Sequence, residues 1–269
     1  MCRTRCVLAL IVLYVGLAQS WDIAATNGDL IEFYTNGIKT KSIRFDSKNL
    51  TALVYAEVLN IMLFVDKQSG NDAVCGYDIS SMETKCFTER NWRNIHGLAF
   101  DPVTEKLFFS DTRERSINWI SLKRGFVNKI YGNLLTKTDD GIPTDIAVDS
   151  CRGYVYWINT NQTPPTIEKV SFDGSYREVI ITLVSIDSPN NLEPHSLIID
   201  QQTQKMFWIE PKTGVKDRIY VADLNGNNKQ QLNMNKTGDD LYHQPLSNTL
   251  CVSKTMLLWV DWCADCNIV

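Results

Sequence analysis

The chain has 269 residues, 44% hydrophobic and 22% charged, with a formal net charge of −4. That mild negative charge, with no basic block interleaved with aromatics, leaves no electrostatic footprint for nucleic acid. Past the first 20 residues no apolar run is long enough to cross a bilayer, and the length suits one large all-β domain.

Arg3 and Arg5 precede an apolar run from Val7 to Leu17, which ends in the small residues Ala18-Gln19-Ser20. This pattern reads as a secretory signal peptide over residues 1–20, leaving 21–269 as the mature domain. The leader carries Cys2 and Cys6, so Cys75, Cys86, Cys151, Cys251, Cys263 and Cys266 remain as disulfide candidates in an oxidising compartment. Asn49, Asn161 and Asn235 each open an Asn-x-Thr acceptor for N-glycosylation, which fits the same compartment.

Trp21 to Arg44 reads as strands around the turns Asn27-Gly28 and Asn36-Gly37. It resembles the outer part of a blade whose inner strand comes from elsewhere. From Leu53 onward a paired motif recurs: a short apolar run, a turn, and a second run ending in a polar residue. The copies end at Asp66, Asp111, Asn159, Glu210 and Asp261, with spacings of 45, 48, 51 and 51 residues. In the three middle copies the interval from Asp101 to Asp111, Asp149 to Asn159 and Asp200 to Glu210 is ten residues each time. Repeats of about 40–50 residues built from short strands are the signature of propeller blades. Gly125, Gly174 and Gly226 mark a tight hairpin at the same place in successive units. Cys75 and Cys86 fall on consecutive strands of one hairpin and can face each other.

Four complete units, a leading set of outer strands and a trailing half unit predict a six-bladed β-propeller of four-stranded antiparallel blades, incomplete at its C-terminus near Val269. The edges at Trp21 and Val269 would then be open to pairing. The bulky aromatics of each second run are expected to pack between blades. The polar residues at 66, 111, 159, 210 and 261 are expected to fix blade position by accepting backbone N–H groups.

Tyr156-Trp157-Ile158-Asn159, Phe207-Trp208-Ile209-Glu210, Phe108-Phe109-Ser110-Asp111 and Leu258-Trp259-Val260-Asp261 are similar to the tyrosine-tryptophan-threonine-aspartate repeat of low-density lipoprotein receptor class B propellers. Leu98 to Pro102 and Ile146 to Asp149 resemble that family's inner strand. No copy carries all four signature residues. The resemblance implies a non-enzymatic, receptor-like propeller, secreted or at the cell surface, that binds an extracellular protein ligand or co-receptor and uses no cofactor. The arrangement also resembles an insect cell-surface member in which epidermal growth factor-like modules and a transmembrane helix follow the propeller, with a role in oogenesis and spermatogenesis.

No HExxH, G-x-S-x-G or phosphate-cradling loop occurs, so no catalytic, cofactor-binding or metal residue is assigned. His96 and His195 sit just before inner strands, where a metal or catalytic pair is conceivable, and His243 stands apart. Cys263-x-x-Cys266 lacks a second ligand pair for zinc. Asp139-Asp140 reads as a solvated loop rather than a calcium site. Trp92, Trp119 and Trp262 would serve as partner anchors if they faced solvent. The alternative function is a secreted calcium-dependent propeller hydrolase, which needs several carboxylates converging on the axis.

Overall fold

The structure is a computed structural model describing residues 10–12, 23–36, 38–46, 49–67, 71–89, 92–123, 130–135, 141–160, 163–184, 193–211, 218–232, 250–252 and 257–259. Among these residues the elements are strands, with one short 3-10 turn at Glu57–Leu59. The first sheet holds β1 (Leu10–Val12), β2 (Ile23–Asn27), β3 (Leu30–Thr35) and β4 (Ile38–Arg44); the second holds β5 (Leu50–Ala56), β6 (Ile61–Asp66), β7 (Ala73–Asp78) and β8 (Thr84–Thr88). The third is β9 (Ile95–Asp101), β10 (Lys106–Asp111), β11 (Ser116–Ser121) and β12 (Tyr131–Leu135); the fourth is β13 (Ile142–Asp149), β14 (Tyr154–Thr160), β15 (Thr166–Ser171) and β16 (Arg177–Thr182). The fifth comprises β17 (His195–Asp200), β18 (Lys205–Glu210), β19 (Arg218–Asp223) and β20 (Gln230–Gln231), and among the described residues β21 (Leu250–Val252) pairs with β22 (Leu257–Trp259) alone.

The propeller therefore has five four-stranded antiparallel blades, not the six expected from the repeats. The count differs at the two ends of the chain. Leu10–Val12, inside the stretch read as leader, pairs with Ile23–Ala25 and completes the first blade. Among the described residues the trailing copy forms a two-stranded ribbon rather than a blade. Inner strands β1, β5, β9, β13 and β17 stand side by side around one axis, and β21 lies between β17 and β1.

Each inner strand runs from what we term the upper face to the lower face. The turn that follows explains the ten-residue interval in the repeat. Asp101 accepts the Thr104 N–H at 2.7 Å, Asp149 accepts those of Cys151 and Arg152 at 3.1 and 3.2 Å, and Asp200 accepts that of Gln202 at 2.9 Å. These side chains replace backbone partners in a tight turn. The residue before the next strand, Glu105, Gly153 or Gln204, is left-handed, with φ of 52°, 74° and 58°. At the outer hairpin of the fifth blade Gly226 has φ of 84°, and a Cβ there would stand 2.4 Å from the Ile180 carbonyl oxygen of the fourth blade. A side chain fits neither that backbone nor that space.

Alternation along each second strand sends its side chains to two different interfaces. On β10, Leu107 and Phe109 join the cluster between the second and third blades, whereas Phe108 joins the one between the third and fourth. On β14, Val155 and Trp157 face the third blade and Tyr156 and Ile158 the fifth. The core is thus a series of inter-blade layers, each filled by large side chains with no exposure, Trp157, Trp208, Phe64 and Phe108 among them.

Cys75 and Cys86 are directly opposite on β7 and β8 and form a disulfide. Cys151 is also disulfide-bonded. Cys251 lies on β21, of which only the backbone is described, and Cys263 and Cys266 lie outside the described residues.

Burial raises the pKa of Asp149, against the opposing pull of the Arg152 and Cys151 N–H groups and of the Arg152 charge. A raised carboxyl favours the fold below its unfolded pKa, and that contribution is lost as pH rises through the folded value. Asp149→Asn is therefore expected to be less destabilising at neutral pH than at pH 3. Urea unfolding of both proteins across that range checks it, and a stability difference that stays flat with pH contradicts it.

Candidate functional site at the upper axial mouth

Every inner strand from the second blade to the fifth has a register shift near its upper end: at Thr51/Leu53, opposite Phe109/Asp111, at Pro143/Ile146 and at His195/Ile198. Such bulges re-aim side chains and recur beside functional sites. The residue just before the apolar run is Ala52, Gly97, Asp145 and Ser196 in the four blades. Ala52 and Ser196 are left-handed, with φ of 44° and 63°. A Cβ on Gly97 would lie 2.9 Å from Ile146 Cγ2 and 3.2 Å from the Thr144 carbonyl oxygen, so glycine lets β13 approach β9.

Asp145 is the one charged residue of this layer. Its Oδ2 accepts the Ser196 N–H of the fifth blade at 3.0 Å, and its Oδ1 stands 3.8 Å from His96 Nδ1 of the third. The side chains of His96 and Asp145 are 38% and 17% exposed, so both are reachable from the upper face. Ser196 is buried, and its Oγ has no partner. His195, half-buried, holds the place in the fifth blade that His96 holds in the third, and its Nδ1 is 3.1 Å from the Glu193 carbonyl oxygen. The fourth blade separates the two histidines, so the conceivable pair is not assembled. Among the described residues no group of three or more His, Cys, Asp or Glu side chains could hold a metal.

Among the described residues around this mouth, two polar clusters join neighbouring blades. Lys67 Nζ reaches Asp72 Oδ2 at 2.8 Å, Asn94 Oδ1 at 2.9 Å and the Ile95 carbonyl at 2.6 Å, while Asp72 Oδ2 accepts the Ile95 N–H at 2.7 Å. Asp72 is buried, so this latch between the second and third blades is a desolvated ion pair with its remaining donors met. Ser110 Oγ accepts the Gly97 N–H at 3.0 Å and donates to the Thr144 carbonyl, joining the third and fourth blades.

The repeat-terminal residues take different partners. Asp66 accepts the Asn49 N–H at 3.0 Å. Asp111 accepts the N–H groups of Arg93, Arg113 and Glu114 at 2.9, 3.0 and 3.0 Å. Asn159 instead donates to buried Glu168 at 2.6 Å, and a Cβ on Gly141 would fall 2.0 Å from its Oδ1. Glu168 also receives Thr166 and Arg177, so its charge is compensated. Glu210 accepts Trp208 Nε1 at 2.9 Å and Lys229 Nζ at 2.7 Å. Asp261 lies outside the described residues, as do His243, Asp139, Asp140, Asn161, Asn235 and Trp262. Asn49 is exposed on the upper face.

Of the aromatic anchors expected from the sequence, Trp92 and Trp119 are described, and neither is fully exposed. Trp92 is buried against Phe87, Phe109 and Tyr131. Trp119 is half-buried on β11, with Lys106 Nζ 4.1 Å above its ring and Gly132 against its edge. What sequence reasoning missed is Asp145, together with Lys67, Asp72 and Gly97. Asp145 leaves one signal, since it is the charged member of an otherwise small set when the repeats are aligned.

No family model matches the chain. With five blades in place of six, this leaves the low-density lipoprotein receptor class B resemblance at the level of a strand motif. The chain is similar to Protein cueball of Drosophila yakuba, with 30% identity over 254 residues covering 91% of this chain and 37% of that protein. It thus spans little more than a third of the length of the curated relatives it matches. Among solved structures, a chain of a nidogen/laminin complex superposes with a TM-score of 0.68 at 18% identity, covering 87% of this chain and 83% of that one. TolB from Agrobacterium tumefaciens superposes with a TM-score of 0.60 at 14% identity, covering 78% and 75%. Both share the propeller fold. No helix among the described residues is long and apolar enough to cross a membrane.

Proposed function

We propose that this chain is an extracellular or cell-surface propeller without catalytic activity that binds a protein partner through its upper axial mouth. The observation that carries the reading is the pair His96 and Asp145. These two reachable polar side chains from adjacent inner strands meet across a blade boundary where neighbouring polar groups are consumed by latches and turn caps. The leader pattern and the Asn-x-Thr acceptors support a secretory route. The likeness to a chain solved within a nidogen/laminin complex supports a binding role, since a protein of this fold was there held in a complex with another protein. A germline role follows only from the resemblance drawn on the sequence, and in situ hybridisation in gonads addresses it.

The layer Ala52, Gly97, Asp145 and Ser196 offers one carboxylate, whereas calcium takes six to eight oxygen ligands, and this favours binding over hydrolysis. The test is a screen of the secreted, glycosylated chain against an array of recombinant extracellular proteins, laminin included. We expect at least one saturable partner whose binding falls when His96 is replaced by tryptophan, which obstructs the mouth without changing its charge. Binding indifferent to that change, or calcium-dependent turnover of an ester, contradicts the reading.

A further inference from the structure

We propose that Asp145 is the seat for a basic side chain of the partner, so that the upper mouth recognises a lysine or arginine tip; this rests on the partner-binding reading and specifies its chemistry. Asp145 differs from the other inner-strand aspartates. Asp101, Asp149 and Asp200 sit at the lower ends and turn their oxygens onto the N–H groups of their own turns. Asp145 sits at the upper end, on a bulge, and caps no turn. Its Oδ2 takes one N–H from Ser196. Its Oδ1 faces the ring of His96 at 3.8 Å, beyond hydrogen-bond length. Among the described residues no lysine or arginine forms an ion pair with it, whereas Asp72, Glu168, Glu210 and Asp223 each have one.

The described residues of this layer leave room for such a guest. The equivalent positions in the three other blades carry alanine, glycine and serine, so no bulky side chain of this layer overhangs the carboxylate. Ser196 adds a second, independent mark: a left-handed serine, buried, whose Oγ has no partner although its own N–H is on Asp145. An incoming ammonium or guanidinium at Oδ1 would complete the lone-pair set of a half-desolvated carboxylate, and charge-assisted bonds of that kind are about twice as strong as neutral ones. Because the layer is otherwise uncharged, the carboxylate also breaks the near-symmetry of the mouth and so fixes the orientation of a bound partner.

The probes are acetyl-Gly-Lys-Gly-amide and acetyl-Gly-Arg-Gly-amide, with acetyl-Gly-Gln-Gly-amide as the neutral control, titrated into the full secreted chain and followed by calorimetry or NMR. We expect saturable binding of the two basic peptides in about the millimolar range and none of the neutral one. Raising salt from low ionic strength to about 0.5 M should weaken it several-fold, as for a partly exposed charge pair. Asp145→Asn keeps an acceptor for the Ser196 N–H and should lose about tenfold or more in affinity, while Asp173→Ala, at an exposed acid of the lower face, should leave peptide binding unchanged. His96→Lys supplies an internal cation and should abolish peptide binding by an independent route, which keeps the test decisive if the asparagine variant fails to fold.

Equal affinity for the glutamine peptide, or undiminished binding by both variants, overturns the inference. Should a protein partner bind the mouth of wild type and Asp145→Asn alike, the partner-binding reading stands and the basic-group inference falls. Basic peptides bound in an Asp145-dependent way, with the protein partner engaging another surface, would uphold the inference about the site and sink the reading of the partner's location.

Discussion

Trp157→Ala is expected to destabilise the fold by about 3–5 kcal/mol, the range for removing a fully buried tryptophan. The ring has no exposure and fills the layer between the third and fourth blades with Phe108, Ile146, Val148 and Val170. Those neighbours belong to different sheets, whose backbones are held at fixed spacing by their own ladders, so they cannot collapse far into the hole. Trp157→Phe should cost much less, for two reasons. It keeps most of the apolar volume, and it removes an indole N–H that is buried without a partner. Trp208 is the contrast: its N–H is bonded to Glu210, so the same change to phenylalanine there leaves an acceptor short of one donor. Guanidinium unfolding with an unchanged slope reads both effects. A Trp157→Ala protein within about 1 kcal/mol of wild type would show that the two blades do not pack as described.

Asp72→Ala is expected to cost about 3 kcal/mol, the scale for removing one member of a buried ion pair. The loss strands Lys67, whose ammonium is held between blades, and leaves the Ile95 N–H without its acceptor at the start of β9. Asp72→Asn keeps that acceptor and loses only the charge, so it should fall between wild type and alanine. In a double-mutant cycle, Lys67→Met should be less harmful in the Asp72→Ala background than in wild type, because the stranded cation is then gone. Strict additivity of the two changes would mean that the latch does not exist in solution.

The third, fourth and fifth blades are legible in the sequence because their physics is local. An apolar run, an aspartate that caps its own turn, and a second run ten residues on repeat with little drift, and each feature follows from the hairpin it builds. The ends are not legible for an equally physical reason. Leu10-Ile11-Val12 suits the apolar core of a leader and a β-strand alike, and composition cannot say which it is when it pairs with β2. That strand makes the first blade complete, and the ribbon at Leu250–Trp259 never gains a third strand among the described residues. Counting the two ends as further blades gives six; the structure has five.

The terminal polar residue of each repeat was expected to bind backbone, and at Asp66 and Asp111 it does so. Asparagine and glutamate at 159 and 210 have different donors and reach, and they meet side chains instead. The site was hidden for a further reason. Asp145 gains its meaning from His96 and Ser196, 49 residues before it and 51 after it, and only the ring of blades brings the three together.

The central claim is that partners bind the upper face, and a glycan wedge tests it most directly. His96→Thr turns Asn94-Ile95-His96 into an acceptor at the rim of the mouth, where Asn94 is exposed. Asn227→Thr does the same for exposed Asn225 on the lower face. With both sites shown to be occupied by mass spectrometry, the account predicts that the Asn94 glycan abolishes binding of a partner found in the array screen and that the Asn225 glycan leaves it intact. Full binding with a sugar at Asn94, or loss only with a sugar at Asn225, would contradict it.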